Sequence, residues 1–486
     1  MSAHKNIAFL GTGSDVGKSI VAAAFCRSLA DKGVRVAPYK AQNMSNNSGI
    51  TPEGLEMGRA QIVQAEAAKI APHVDMNPVL LKPTGEKGSQ VVLNGLVYDN
   101  QSAMDYHKTK DFYFKKACEA FDRLKSQYEC IVLEGAGSCA EVNLMETDIV
   151  NFRMAEYAKA DVILVADIHR GGVFAQIIGT MQCLPQKYRS MIKGFIINRF
   201  RGDPELFQEG VQWIEKKTQK KVFGVMPWYS HFRIDAEDSV EIEKTTRISD
   251  LDKDIPIIGI IKLPHISNFT DIHNLAEIKD VQVAFIDSPQ DLSFCTALII
   301  PGSKNTRADM EWLWHTGMGQ KIIDFANAGG NILGICGGYQ ILGKSIDDPE
   351  GHEGKPGNTK GLSLLDVITI IVNPKVTTTT SFSWGNALGK GYEIHMGNTT
   401  IMNGKPLFKI HKRNSEDLND NDGCCSKNGK ILGTYIHGLF DSKRILMKWI
   451  EQIGVKGLDK RLYSKEFDKE TNYKLLKEHF EKHINL

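Results

Sequence analysis

Short apolar runs alternate with helical patterns through the first half of the chain. IAFL (7–10) enters a glycine loop, and KSIVAAAFCRSLADKG follows, with Val21, Phe25 and Leu29 at helical spacing and Gly33 as its stop. VRVAPYK (34–40), CIVLEGAG (130–137), DVILVADI (161–168), MIKGFIINRF (191–200) and KVFGVMPW (221–228) read as further strands, with helical segments between most of them. Unbroken Val/Ile/Leu runs flanked by helices predict a parallel sheet covered on both faces.

The polar stretch 229–254 marks the exit from this unit. A second α/β series starts at IPIIGIIKL (255–263) and continues through VQVAFID, TALIIPGS, a helix near 308–328 and NILGICGGYQILG (331–343). Two polar segments, 345–361 and 411–429, read as exposed insertions, and the tail beyond about Asp441 reads as helical. The expected organisation is two doubly wound α/β domains, residues 1–235 and 253–447, with a linker at 236–252 and a C-terminal helical tail at 448–486.

Composition narrows the classes. The 486 residues are too many for one ordinary core. Net charge is +1, which gives no broad footprint for nucleic acid or membrane. No stretch approaches the roughly 20 apolar residues that span a bilayer, and the N-terminal apolar run is too short for a signal peptide. The nine scattered cysteines suit reduced thiols, so a cytoplasmic location is expected. Oligomeric state has no signal in the sequence.

GTGSDVGKS (11–19), between a strand and a helix, has the character of a phosphate cradle. Gly11, Thr12, Gly13, Ser14, Asp15 and Gly17 would wrap the phosphates of a nucleotide, Lys18 would reach the terminal ones, and the Ser19 hydroxyl would take Mg²⁺. The spacing is longer than the ordinary loop, because Thr12 stands at the usual first-glycine position. Other candidates end neighbouring strands, where ligands of open α/β sheets bind. They are Lys40, Glu134 as a Mg²⁺ ligand, and Asn198 and Arg199 as readers of the base.

GICGG (334–338), between an apolar strand and a helix, is the cysteine form of a nucleophile elbow. A helix N-terminus there favours the thiolate of Cys336. The Gly337 N–H, with Gly302 or Ser303 from PGSKN (301–305), would stabilise an oxyanion. The base should be a histidine ending a later strand. His437 in YIHGLF (435–440) and His395 in GYEIHMG (391–397) both fit, and spacing alone does not choose.

The nucleotide loop resembles that of dethiobiotin synthetase and its relatives. KAQNMSNNS (40–48), EGAGSCAEVNL (134–144), DIHRGGVFA (167–175) and INRFRGD (197–203) resemble the cobyric acid synthase family more specifically. GICGGYQILG and YIHGLF resemble the class I glutamine amidotransferase domain, and the likeness then covers nearly the whole chain. It implies an N-terminal P-loop domain of dethiobiotin-synthetase type and a C-terminal glutaminase-like domain. Cys336 would be the nucleophile and His437 its base.

The reaction so implied uses ATP, Mg²⁺ and glutamine as nitrogen donor. It would amidate the b, d, e and g carboxylates of (adenosyl)cobyrinic acid a,c-diamide through acyl phosphates. Lys40, Gln42, Asn43, Ser45 and Asn46 would hold the corrinoid. Most class I glutaminases carry an acid two residues after the histidine, and here that position is Leu439. The expectation is therefore a Cys–His pair, with slow glutamine turnover unless the acceptor domain is engaged. The competing readings are a cobyrinic acid a,c-diamide synthase and a nucleotide-switch protein with an inert amidotransferase-like domain.

Overall fold

Fully buried apolar strands build the centre of the first domain. Its sheet runs edge to edge through the strands starting at Lys221, Ile192, Asp161, Ile7, Cys130 and Val36, all parallel. The computed structural model describes residues 5–83, 88–232, 234, 248, 251–455 and 469–486. The expected linker at 236–252 lies almost wholly outside the described residues. Asp161–Asp167 is buried along nearly its whole length, as a strand covered on both faces must be. The helix Lys18–Asp31 follows Ile7–Gly11 and buries Val21, Phe25 and Leu29.

Residues 42–102 add a small sheet of Gln42–Met44, Val79–Pro83, Gly88–Leu93 and Leu96–Ser102, with a separate strand pair, Ser48–Ile50 and Glu56–Gly58. This addition leans on the second domain. The buried Glu56 carboxylate pairs with Lys82 at 2.6 Å and, across the domain boundary, with Lys375 at 2.6 Å. Those two ammonium groups outweigh the burial penalty and hold Glu56 far below the usual carboxylate range.

The second sheet runs through strands starting at Gln282, Ile257, Ala297, Asn331, Ile431 and Cys424, parallel except for the last. A five-stranded antiparallel sheet abuts it and contains Val376–Trp384, Ala387–His395 and Ile436–His437.

Three expectations change. The single helix near 308–328 is two, Thr306–His315 and Met318–Asn327, broken at Gly317 with φ +76°. The insertion at 411–429 is largely a hairpin, Phe408–Arg413 with Glu416–Asp422. The latter strand is an exposed edge, so its polar composition mimics a loop. Residues 345–361 likewise hold the pair Ser345–Asp348 and Gly357–Lys360.

The tail is not one unit. Lys443–Gln452 stays with the second domain, but Lys469–His483 crosses back to the first. There it buries Tyr473, Leu476 and Phe480 at helical spacing. Phe480 meets Phe25 edge-on at 6.2 Å, and Arg27 donates to Glu470 at 2.8 Å. Among the described residues no helix is long and apolar enough to cross a membrane.

Candidate active site

The loop after Ile7–Gly11 closes over its own lysine. Lys18 Nζ donates to the carbonyls of Gly13 (3.1 Å) and Gly137 (3.0 Å). A Cβ on Gly11 would sit 2.7 Å from the Gly13 oxygen and 2.8 Å from Lys18 Nζ, so only glycine permits the closure. The helix that starts at Lys18 adds its N-terminal N–H groups and positive dipole end, which suit an anion.

Ser19 donates to Glu134 Oε1 at 2.7 Å. Glu134, buried at the end of its strand, also accepts from Lys40 (3.1 Å), Gln61 (3.3 Å) and Gln64. Burial pushes its pKa up, but Lys40 and the hydrogen bonds of Ser19 and Gln64 outweigh this and hold it below the usual value. Two oxygens 2.7 Å apart beside a phosphate-type loop fit Mg²⁺. That ion takes one or two protein oxygens and completes its octahedron with phosphate oxygens and water. Gln61 and Gln64 were not legible in the sequence, because a mid-helix glutamine carries no motif.

Asn198 and Arg199 brace the loop. Asn198 Nδ2 donates to the Val16 carbonyl at 2.9 Å. Arg199 donates to the Asp15 carbonyl (2.6 Å), to Asp15 Oδ1 (2.9 Å) and to Asp167 Oδ2 (3.0 Å). Both side chains thus hold the loop from a neighbouring strand.

A cavity of about 1480 Å³ opens over the loop. Its walls include Ser14, Asp15, Gly17, Lys18, Ser19, Lys40, Gln42, Asn43, Glu134 and Arg199 from the first domain, and Asp271, Tyr392 and Gly438 from the second. This exceeds the usual 300–1,000 Å³ or so of a small-ligand site, leaving room for a nucleotide beside a large acceptor. Ser45 and Asn46 are not on this wall; Ser45 turns inward to the Asn47 carbonyl at 3.4 Å. Lys40, on the wall, also pairs with Glu134 at 3.1 Å.

In the second domain, Asn331–Ile335 and the helix Gly337–Leu342 meet at Cys336, whose backbone has φ +55° and ψ −110°. A non-glycine residue held there is strained, as at a nucleophile elbow. A Cβ on Gly337 would lie 2.8 Å from the Ser303 nitrogen, so the Gly302–Ser303 backbone packs directly against the elbow. The Ser303 hydroxyl is held by Asp309 Oδ2 at 2.6 Å, which leaves its backbone as the group facing the elbow.

His437 follows Ile431–Thr434, the strand beside the one that ends in Cys336. The Cys336 N–H donates to the Thr434 carbonyl at 2.8 Å, which ties the two strand ends together. His395, the rival, stacks on Tyr435 at 3.7 Å, and its Nδ1 lies 3.2 Å from the Gly397 carbonyl.

A carboxylate completes the pair. Asp271 Oδ2 lies 2.7 Å from His437 Nδ1, and Asp271 Oδ1 accepts from the Gly438 N–H at 2.7 Å. The arrangement is therefore a triad, Cys336–His437–Asp271, and the expected bare pair is corrected. Leu439 is 1% exposed and belongs to the hydrophobic core, so its position cannot present an acid to the imidazole. Burial lowers the pKa of His437, but the charges of Asp271 and Cys336 outweigh it and push it up to about 10. An imidazolium of that kind stabilises a thiolate beside it.

Asp271→Asn is expected to slow glutamine hydrolysis about 10²-fold and to spare amidation driven by ammonia. Its sign with pH is fixed. The carboxylate raises the imidazole's pKa, so removing its charge brings deprotonation at lower pH and shifts the alkaline limb of glutamine hydrolysis downward. Rate–pH profiles of both enzymes check this, and coincident limbs would refute it.

A smaller cavity, about 290 Å³, opens at Cys336 and is lined by Asn268, Ser303 and Gln340 as well as by Lys82 and Gln90 of the first domain. The pocket at the thiol is thus built from both domains. Its first-domain residues, like Asp271, stand far from the elbow in sequence and carried no signal of a shared site.

Comparison with known proteins places this geometry among relatives. Residues 7–242 match the CobQ/CobB/MinD/ParA nucleotide binding domain, and residues 257–445 match the CobB/CobQ-like glutamine amidotransferase domain. The chain is 47% identical to the cobyric acid synthase of Chlorobium chlorochromatii over 99% of its length and 96% of that protein. It is 46% identical to that of Chlorobium phaeobacteroides over 99% of its length and 98% of the relative. Against that of Syntrophobacter fumaroxidans it is 43% identical, over 98% of this chain and 96% of the other.

Proposed function

The chain belongs to the cobyric acid synthase family, and from that premise we propose that its two sites run one amidation. It is a glutamine-dependent amidoligase of cobalamin biosynthesis. The substrates we assign are ATP, glutamine and (adenosyl)cobyrinic acid a,c-diamide, amidated at its b, d, e and g carboxylates. The nine free cysteines accord with work in the cytoplasm.

A carboxylate resists amines because its leaving group would be oxide. Transfer of a phosphoryl group from ATP gives an acyl phosphate, and ammonia then displaces phosphate to leave the amide. Lys18 holds the terminal phosphates in this step, and Gln42 and Asn43 face the acceptor. Mg²⁺ at Ser19 and Glu134 would offset phosphate charge.

In the second domain Cys336 attacks the glutamine amide, and the oxyanion is met by the N–H groups of Gly337 and Ser303. His437, oriented by Asp271, passes the thiol proton to the departing ammonia. Water then releases glutamate from the thioester. The observation that carries this reading is the 2.7 Å contact of Asp271 with His437, made on a turn that also walls the nucleotide-side cavity.

The test is isotopic. Glutamine labelled at its amide nitrogen is expected to label the four new amides of the product in the presence of ATP. Labelled glutamine that is hydrolysed without any label entering the corrinoid would refute the coupled reaction.

A further inference from the structure

One turn, Asn268–Asp271, grips both nitrogens of His437. Asp271 is 2.7 Å from Nδ1, and Asn268 Nδ2 is 3.3 Å from Nε2. The Asn268 amide is oriented by a third group, since the Ser48 backbone N–H donates to its Oδ1 at 3.1 Å. A backbone N–H can only donate, so the amide oxygen faces Ser48 and its NH₂ faces the imidazole. Nε2 has one lone pair, and the same lone pair must take the proton of the Cys336 thiol.

We propose that Asn268 is a positioning residue coupling the acceptor side to the glutaminase. With segment 42–48 at rest, its amide donates to His437 Nε2 and competes with the Cys336 thiol; movement of Ser48 on acceptor binding withdraws it. This rests on the two-site amidoligase reading. Further contacts join the same partners. Thr270 Oγ1 donates to Asn47 Oδ1 at 3.4 Å. The Tyr392 ring stacks on His437 at 5.4 Å, and its hydroxyl donates to the Ser48 carbonyl at 3.4 Å. The Ser48 peptide is thus linked to the catalytic imidazole by two side chains.

The turn is also the wall between the two cavities. Asn268 lines the smaller, with Cys336, while Thr270 and Asp271 line the larger, with Gln42 and Asn43. An acceptor bound in the larger cavity therefore touches the segment that ends at Ser48. Asn268 has φ +51°, a left-handed conformation that asparagine tolerates better than most residues.

The chemistry follows from proton count. Sγ and Nε2 share one proton: an imidazole that accepts from the amide leaves that proton on the thiol, and the raised pKa of His437 belongs to the other form, in which the imidazolium faces a charged Cys336. With the amide withdrawn, the proton passes from Sγ to Nε2, giving the thiolate and an imidazolium that Asp271 supports.

Glutamine hydrolysis in the presence of ATP, with and without the a,c-diamide, tests this in the native enzyme and in Asn268→Ala. The expected result is a rise in acceptor-free kcat of about fivefold to tenfold, the worth of one neutral hydrogen bond, with KM for glutamine unchanged. Tyr392→Phe keeps the ring on His437 and removes only the hydroxyl link to Ser48; it is expected to raise acceptor-free kcat by about twofold. An unchanged ratio of stimulated to acceptor-free rates in Asn268→Ala, or an equal fall in both, overturns the proposal. So does a native enzyme that the acceptor does not stimulate. Should Asn268→Ala fail to fold, Tyr392→Phe decides, and an unchanged ratio there overturns it. Glutamine nitrogen that never reaches the acceptor in the native enzyme would instead refute the two-site reading.

Discussion

Cys336→Ser is expected to abolish amidation driven by glutamine and to leave amidation driven by ammonium salts. The loss should be about 10⁴-fold or more, because nucleophile and base act as one unit. A serine hydroxyl is far less acidic than a thiol, and the imidazolium favoured by Asp271 cannot remove its proton. The substitution is otherwise mild. Cys336 Sγ contacts the Ile394 carbonyl at 3.4 Å, a partner that a serine hydroxyl can also satisfy, and the strained backbone is unchanged in kind. The first-domain site lies across the Asn268–Asp271 turn and keeps all its groups. Product amides counted with glutamine and then with ammonium chloride give the answer. A folded variant that ammonium fails to rescue would show that Cys336 serves more than nitrogen release.

The legibility of the two sites differed for a physical reason. The nucleotide loop is contiguous, so strand, loop, Lys18 and Ser19 lie within one stretch of sequence, and Glu134 was marked by its place at a strand end. The nucleophile was equally local, since GICGG encodes its own turn. The triad acid was not. Asp271 is 166 residues from His437 and reaches it from a short turn whose sequence, NFTDI, has no periodicity to read. Position 439 misled because the chain there turns its side chain into the core. The structure thus removes Leu439 as a reason to expect a slow, acceptor-dependent glutaminase, and Asn268 supplies a different one.

Distance in sequence limited the fold in the same way. The amphipathic pattern of Lys469–His483 predicts that one face is buried, but not that its partner is the helix Lys18–Asp31 at the other end of the chain. Arg27 with Glu470, and Ser28 with Glu481 at 2.6 Å, join these termini. The helix at the nucleotide site is therefore braced by Lys469–His483, which a domain boundary drawn at residue 448 assigns elsewhere.

Lys18→Ala is expected to abolish both glutamine-driven and ammonia-driven amidation, by about 10²- to 10³-fold, while glutamine hydrolysis without acceptor persists. The amine sits where phosphate charge would gather, and in the present structure it donates to the carbonyls of Gly13 and Gly137. Those neutral partners can be exchanged for phosphate oxygens at little cost, because a charge-assisted bond to an anion is the stronger one. Truncation also removes the only positive group that the loop itself carries, and Lys40 cannot replace it while paired with Glu134 at 3.1 Å. Acyl-phosphate formation precedes ammonia attack, so the source of ammonia is immaterial to the defect. That distinguishes this variant from Cys336→Ser, which ammonia rescues. Amidation with each nitrogen source, and glutamate release without acceptor, measured on the same preparation, separate the cases. Ammonia-driven amidation that survives Lys18→Ala would remove the loop from the activation step.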